Sequence, residues 1–148
     1  MRDNVHSLFL EATRNVFQLM LDLSDISDRS AENFPSDEGL GISIGIEGDL
    51  TGEVIYRFPN DTSLSMVNIM SGMEVDSVDD FVVSAISEIA NIISGNVLTM
   101  LAENDLKCDI QPPVPSKPDE NGGYELQTIK CISTTVGDVC LEIRLNAA

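Results

Sequence analysis

The segment from Asp76 to Glu103 constrains the fold most, because apolar residues recur along it at helical spacing. Asp76 or Ser77 is placed to open the helix. The predicted buried stripe comprises Val78, Phe81, Val82, Ala85, Ile86, Ile89, Ile92, Ile93, Val97, Met100 and Leu101. A long helix with one apolar side must bury that side against another element. The sequence therefore predicts a layered fold around this helix.

The rest of the chain supplies a second long helix and several strands. Apolar spacing predicts a helix from about Asn4 to Leu23, and a short helix from Asp61 or Thr62 to Met70 that ends at Gly72. The buried side of the first helix is predicted to carry Val5, Leu8, Phe9, Ala12, Val16, Leu19 and Met20. The strand candidates are residues 41–48, 51–59, 106–115, 124–134 and 136–146. Prolines predict that 106–115 lies at a sheet edge or ends early, and the polar stretch 24–39 is predicted to be an irregular connection with room for a short edge strand.

These elements predict an α+β fold in one domain, residues 1–148. Each half of the chain has a long helix followed by a strand pair, which indicates a rough internal duplication. Such a chain packs most simply with two long helices on one face of a mainly antiparallel sheet.

Charge and composition exclude several classes of function. The chain has 25 Asp and Glu against 8 Lys and Arg, a formal net charge of −17, which disfavours nucleic acid and anionic membrane as partners. No apolar run reaches the length that spans a bilayer, and the N-terminus lacks the layout of a signal peptide. We therefore expect a cytoplasmic location.

Metal and thiol chemistry are also disfavoured. His6 is the one histidine, and the three cysteines, Cys108, Cys131 and Cys140, form no Cys-x-x-Cys pair, so the chain lacks a set of zinc ligands. We expect no metal site and three reduced thiols located in strands.

The long helix carries a second stripe, which is polar and made of small residues. Ser84, Glu88, Asn91 and Gly95 share one face, with Ser87 and Ser94 beside it. Chance alone gives roughly 0.7 Glu-x-x-Asn pairs in a chain with this much Glu and Asn, so a solvated face is one interpretation. The absence of Lys from this face and the mid-helix position of Asn91, where it cannot cap, favour a partner surface.

The stretch "SAISEIANIISGN" (84–96) resembles the signature of the CheC/CheX/FliY family of chemotaxis phosphatases. That signature is Asp or Ser, three residues, Glu, two residues, Asn, and a Pro about 22 residues later. Ser84, Glu88 and Asn91 match it, whereas position 114 is Val114, between Pro113 and Pro115. The similarity also covers "NVFQLML" in the first helix, the Gly-rich strand pair and the closing hairpin.

The resemblance implies a phosphatase for the aspartyl phosphate of a CheY-type response regulator. Asn91 would orient the attacking water, Glu88 would dock on a Lys of the regulator, and the small residues Ser84, Ser87 and Gly95 would contact the partner. No cofactor is expected on this chain, because the regulator would carry the divalent metal. The first helix has Ser7, Glu11 and Asn15, but Arg14 stands at the position of the amide. The resemblance is therefore to the single-site CheX-like branch, which implies a homodimer joined through a sheet edge.

A second hypothesis is a binding module without catalysis, because the same fold serves in flagellar switch components and a fold does not determine a function. On that hypothesis the face from Ser84 to Gly95, or a sheet edge, docks a regulator or a switch protein, and Asn91 has no chemical role.

Overall fold

The computed structural model describes residues 5–23, 26–31, 39–115 and 123–147, with the backbone alone at 29–31. The helices are α1 (Val5–Leu21), α2 (Asn60–Ser71) and α3 (Asp80–Glu103). The strands are β1 (Ser27–Ala31), β2 (Leu40–Gly48), β3 (Leu50–Phe58), β4 (Cys108–Ile110), β5 (Val114–Pro115), β6 (Leu126–Thr134) and β7 (Gly137–Ala147). These elements confirm the predicted α+β class, with three helices on a mainly antiparallel sheet.

The strands of the described ranges form one sheet in the order β1-β6-β7-β3-β2-β4, with β5 also paired to β2. Every pairing is antiparallel. The hairpins β2–β3 and β6–β7 meet in the middle of the sheet. Strand β1, which follows α1, pairs with the outer side of the β6–β7 hairpin. Strands β4 and β5, which follow α3, pair with the outer side of the β2–β3 hairpin. The predicted duplication is therefore present, with the two halves interleaved.

The core lies between the inner face of the sheet and the helices. Alternate residues of β3 and β7 point into it, among them Val54, Tyr56, Leu141 and Ile143, all fully buried. The sheet face opposite carries Arg144, which is 1% exposed and pairs with Glu53 (3.2 Å) and Glu142 (3.0 Å). Because Glu53 is on β3 and Arg144 on β7, this ion pair joins the two hairpins at the middle of the sheet.

Several predicted boundaries differ from the structure. Helix α3 begins at Asp80 rather than at Asp76 or Ser77, because Asp79 is the N-cap and its carboxylate accepts from the amide of Val82 at 3.0 Å. Helix α2 begins at Asn60, after Pro59. Gly72 ends it in a left-handed conformation (φ 69°), as predicted. The segment 106–115 contains two short edge strands, β4 and β5, which agrees with the early ending that its prolines predict.

The apolar stripes were partly wrong. Leu19 and Met20, near the end of α1, are 86% and 38% exposed, and Phe81, in the first turn of α3, is 46% exposed. Val82 takes the core-facing position next to Phe81 and is fully buried. In each helix the apolar pattern extends beyond the surface that the sheet and the neighbouring helix cover.

The expectation of three reduced thiols was also wrong, because Cys131 and Cys140 form a disulfide. The two residues lie directly opposite each other in the β6–β7 ladder, and both are buried. Cys108, in β4, is free and partly buried.

Among the described residues, one helix, α3, is long and apolar enough to cross a membrane. Its buried residues contact α1, α2, β2 and β4, and its opposite side carries Glu88. These contacts are those of a core helix in a layered domain.

Candidate functional site on helix α3

The site is presented by a helix whose first turn and preceding connection are held by hydrogen bonds. Asn68 of α2 accepts the amide of Val75 on its Oδ1 atom at 2.7 Å, and its carbonyl accepts the amide of Gly72 at 3.0 Å. Asp79 then caps α3. The chain therefore enters α3 in a defined direction, which determines the direction in which the polar face points.

Four of the five predicted site residues lie on one face of α3, as the sequence predicted. At 100° per residue, Ser84, Glu88, Asn91 and Gly95 fall within an arc of about 60°. Ser84 and Glu88 are exposed, whereas Asn91 and Gly95 are partly buried. Glu88 and Asn91 are about 4.5 Å apart along the helix axis, so one partner group is able to contact both.

Glu88 and Asn91 make no side-chain hydrogen bond or ion pair with any part of the chain that the structure describes. An ionised carboxylate only accepts hydrogen bonds, whereas an amide both donates and accepts. The two side chains are thus available to a partner, with complementary hydrogen-bonding capacities.

Gly95 lies in the interior of α3, where a glycine costs about 1 kcal/mol relative to alanine. A Cβ atom built at Gly95 has no neighbour within 4 Å. Packing within this chain therefore does not require a glycine at this position. The missing side chain instead leaves the backbone of α3 accessible beside Asn91.

The two flanking serines have different environments. Ser87 is partly buried at the side of the polar face. Ser94 is 1% exposed, and its hydroxyl shares a hydrogen bond of 2.9 Å with the hydroxyl of Tyr56 on β3. Ser94 therefore belongs to the core rather than to the edge of the site. Burial raises the pKa of Tyr56 well above its usual range, so the phenol stays neutral.

The Tyr56–Ser94 hydrogen bond is the contact that sequence analysis missed. It joins α3 directly to the sheet, three residues after Asn91, and so fixes the rotation of the helix about its axis. The sequence did contain a signal for this contact. Ser94 lies on the apolar side of the helix, and a buried hydroxyl needs a hydrogen-bond partner.

The corresponding face of α1 has a different arrangement. Glu11 is exposed, but the guanidinium of Arg14 pairs with Asp28 of β1 at 2.7 Å. Asn15, the amide on this helix, lies four residues after Glu11 rather than three. Helix α1 thus carries no carboxylate–amide pair with the spacing of Glu88 and Asn91.

The region of the signature proline lies at the sheet edge. Val114, at the expected position, is 52% exposed in β5 and pairs with Ser43 of β2. Pro113 is partly buried and Pro115 is exposed. In the described ranges, no three His, Cys, Asp or Glu side chains converge as a metal-ligand group.

Comparison with protein families identifies one match that covers most of the chain. The sequence model of the chemotaxis phosphatase CheX family matches residues 40–132, a region that includes all of α3. A CheY-P phosphatase CheX from Thermotoga maritima is 38% identical over 71 residues, which are 47% of this chain and 46% of that protein. The alignment thus spans about half the length of this curated relative.

Solved structures share the whole fold. The chemotaxis protein CheX from Vibrio vulnificus superimposes with a TM-score of 0.84 at 21% identity, covering 97% of this chain and 99% of its own. The CheX–CheY–BeF3–Mg²⁺ complex from Borrelia burgdorferi gives a TM-score of 0.81 at 25% identity, with coverage of 98% and 99%.

Proposed function

Because the chain belongs to the chemotaxis phosphatase CheX family, we propose that it hydrolyses the aspartyl phosphate of a CheY-type response regulator. The observation that carries the proposal is the pair Glu88 and Asn91, which one rigid helix presents side by side and unpaired. The relative from T. maritima is a CheY-P phosphatase, and the relative from B. burgdorferi has been crystallised with CheY. Both support the assignment of the regulator as substrate.

Asn91 orients the water that attacks phosphorus. An acyl phosphate is already labile, so the main requirement is placement of the water in line with the bond that breaks. The water oxygen bonds to phosphorus, the bond between phosphorus and the aspartyl oxygen breaks, and inorganic phosphate leaves a free carboxylate on the regulator. The amide of Asn91 accepts a hydrogen bond from the water and donates one to a phosphoryl oxygen, whereas a carboxylate there would repel the phosphoryl group.

Glu88 docks the regulator. It lies one turn before Asn91 on the same face and is exposed, so it is accessible to a lysine ammonium of the partner. Such a pair orients the two proteins and draws the lysine away from the phosphoryl group. Glu88 thus acts on binding, and Asn91 on the chemical step.

Ser84, Ser87 and Gly95 complete the partner surface by being small. Their side chains add at most one hydroxyl each, which lets the partner approach the backbone of α3. The open space at Gly95 supports this role. A larger side chain there would separate Asn91 from the phosphoryl group.

The chain contributes no metal or cofactor in this proposal. The divalent metal that neutralises phosphoryl charge is carried by the regulator. The B. burgdorferi complex contains Mg²⁺ and BeF3, a group that stands in for a phosphoryl group. This agrees with a reaction in which the regulator brings its own metal.

Location and assembly follow the family. We place the protein in the cytoplasm, where a response regulator acts, and as a homodimer joined through an edge of the sheet. Disulfides are rare in the cytoplasm. Trapping of free thiols in intact cells therefore measures whether Cys131 and Cys140 are oxidised or reduced there. Light scattering after gel filtration tests the dimer, which requires twice the mass of one chain.

The decisive experiment follows the decay of a phosphorylated CheY-type regulator with and without this protein, beside the Asn91→Ala variant. We expect faster decay that is lost in Asn91→Ala, while the variant still binds the regulator. Unchanged decay with wild-type protein that nevertheless binds would instead identify a docking module. The absence of both effects with every regulator of the same organism would reject the proposal.

A further inference from the structure

Phe81 is an exposed aromatic residue that the fold does not use. It is 46% exposed, whereas Phe9, Phe17 and Phe58 are fully buried. It is absent from the core cluster and from the partly buried residues packed against that cluster. A half-exposed aromatic ring at the start of a helix contributes little packing energy to the stability of the fold.

The position of Phe81 relates it to the site. It precedes Ser84 by three residues and Glu88 by seven, which places it beside them on the same side of α3. Along the helix axis it lies about 10 Å from Glu88 and about 15 Å from Asn91. A standard protein interface covers about 800 Å² on each partner, which is large enough to include both Asn91 and Phe81.

The backbone that carries Phe81 is fixed before any partner binds. The cap by Asp79 sets the first turn of α3, and the Asn68–Val75 hydrogen bond fixes the preceding connection. Met73, in that connection, is 57% exposed and adds a second apolar side chain to the α2–α3 segment. Preorganised aromatic residues are typical of the positions that contribute most to binding.

The charged residues near Phe81 in the sequence are of one sign. Residues 59–106 contain no Lys or Arg. Glu74, Asp76, Asp79 and Asp80, all exposed, lie within seven residues of Phe81. An anionic surface such as nucleic acid or an acidic membrane is repelled by this arrangement. A protein with an apolar recess bordered by Lys or Arg is complementary to it.

We propose that Phe81 is the apolar anchor with which this chain binds the receiver domain of its regulator, and that Glu74 and Asp76 select a receiver with a basic border around the recess. The proposal rests on the proposed function for the identity of the partner. It assigns affinity and partner choice to the start of α3, and the chemical step to Asn91. Asp79 and Asp80 are left out of the selecting pair because they also stabilise the helix start.

The experiment compares Phe81→Ala with two controls. One is Phe81→Leu, which keeps an apolar side chain, and the other is Leu19→Ala, which removes an exposed apolar residue from α1. The binding probe is the BeF3-loaded CheY-type receiver domain with Mg²⁺ from the same organism, titrated by calorimetry. KM and kcat are measured with the phosphorylated receiver, and thermal unfolding checks the fold.

We expect Phe81→Ala to raise Kd and KM about tenfold or more with kcat unchanged at saturation. Phe81→Leu should retain most of the affinity, and Leu19→Ala all of it. An unchanged Kd in Phe81→Ala, or a fall in kcat with Kd unchanged, would overturn the anchor. The unfolding transition should be retained, since Phe81 is half exposed. Where Phe81→Ala loses it, Phe81→Gln takes its place with the same expected rise in Kd, and an unchanged Kd in Phe81→Gln would overturn the anchor.

A second experiment tests whether Glu74 and Asp76 select the receiver. Glu74→Gln/Asp76→Asn should make kcat/KM less dependent on salt concentration, because association with a basic partner is steered by charge. Glu103→Gln/Asp109→Asn removes the same charge from exposed positions at the last residue of α3 and in β4, and should change the salt dependence less. Equal effects of the two pairs would reject selection by Glu74 and Asp76.

The outcomes separate this inference from the proposed function. If wild-type protein binds the receiver without accelerating decay, and Phe81→Ala weakens binding, the phosphatase fails and the anchor stands. If decay depends on Asn91 but Kd is the same in Phe81→Ala, the phosphatase stands and the anchor fails. If no receiver of the organism binds, both are rejected.

Discussion

Helices α1 and α3 hold equivalent places in the two halves of the fold, and each carries a glutamate on its exposed side, Glu11 and Glu88. Three residues later α1 has Arg14, which pairs with Asp28, and α3 has Asn91, which has no partner in the described ranges. The buried hydroxyl of α1, on Thr13, donates to the carbonyl of Phe9 within the helix at 2.7 Å. The buried hydroxyl of α3, on Ser94, reaches Tyr56 of the sheet.

The comparison teaches that two halves built on the same plan differ in the residue that stands three positions after the exposed glutamate. On α1 that residue is Arg14, which pairs with Asp28, and the amide of Asn15 lies four residues after Glu11. On α3 that residue is Asn91, so a carboxylate and an amide are presented together to a partner. The following changes test this difference, from the largest expected effect to the smallest.

Removing the amide of each helix in turn tests the comparison most strongly. Asn91→Ala should lower the rate of regulator dephosphorylation about a hundredfold or more, because a group that positions the reacting atoms is lost. Asn15→Ala on α1 should leave the rate unchanged. Turnover assays with saturating regulator measure both, and a comparable loss in the two variants would remove the distinction between the helices.

The attachment of α3 to the sheet should contribute to stability. Tyr56→Phe removes the hydrogen bond to Ser94 and should lower the free energy of unfolding by about 1 kcal/mol. Thr13→Val on α1 should cost less than about 0.5 kcal/mol, because a hydroxyl bonded within its own helix adds little. Urea unfolding measures both variants, and Tyr56→Phe, Ser94→Ala and Tyr56→Phe/Ser94→Ala together give the coupling between the two hydroxyls. Additive effects of Tyr56→Phe and Ser94→Ala would show that the bond does not hold α3.

Gly95 should show opposite effects on stability and on activity. Gly95→Ala should raise the free energy of unfolding by about 0.5–1 kcal/mol, because the added methyl group meets open space. The same methyl group should lower kcat/KM for the regulator severalfold. Asn96→Ala is the control, since Asn96 is exposed and turned about 100° from Gly95. It should stabilise the helix without affecting kcat/KM, and an unaffected kcat/KM in Gly95→Ala would argue against close approach there.

The ion pair of α1 should have the smallest effect. Arg14→Ala removes the pair with Asp28, whose side chains are 38% and 40% exposed. After solvent screening the loss should be at most about 0.5 kcal/mol, with turnover unchanged. Thermal unfolding and the decay assay together measure it, and a fall in turnover would indicate that α1 takes part in the site.

The periodicity of the sequence predicted the helix layer, the hairpins and the shared face of Ser84, Glu88, Asn91 and Gly95, because these depend on local spacing. It did not predict the exposure of Phe81, which depends on where the sheet beneath α3 ends. It also placed the start of α3 too early, because Asp76 and Asp79 are equally good caps until the Asn68–Val75 contact is known.

The disulfide follows from the register of the β6–β7 hairpin. A turn at residues 135–136 pairs Thr134 with Gly137, and the same register places Cys131 opposite Cys140. The predicted strand bounds, 124–134 and 136–146, did not determine this register, and cysteine spacing alone does not show the pairing. The Tyr56–Ser94 contact was out of reach, because it requires the rotation of α3 over the sheet.

The interleaved sheet has a consequence for dissection of the molecule. Strand β1 follows α1 but pairs with β6, and β4 follows α3 but pairs with β2. A cut in the connection between α2 and α3 would give two fragments, each with a hairpin that lacks its neighbouring strands on both sides. Neither fragment has a complete sheet of its own, so each should recover structure only on meeting the other. The chain is thus suited to use as a split reporter, in which the assembly of two pieces restores the face of α3.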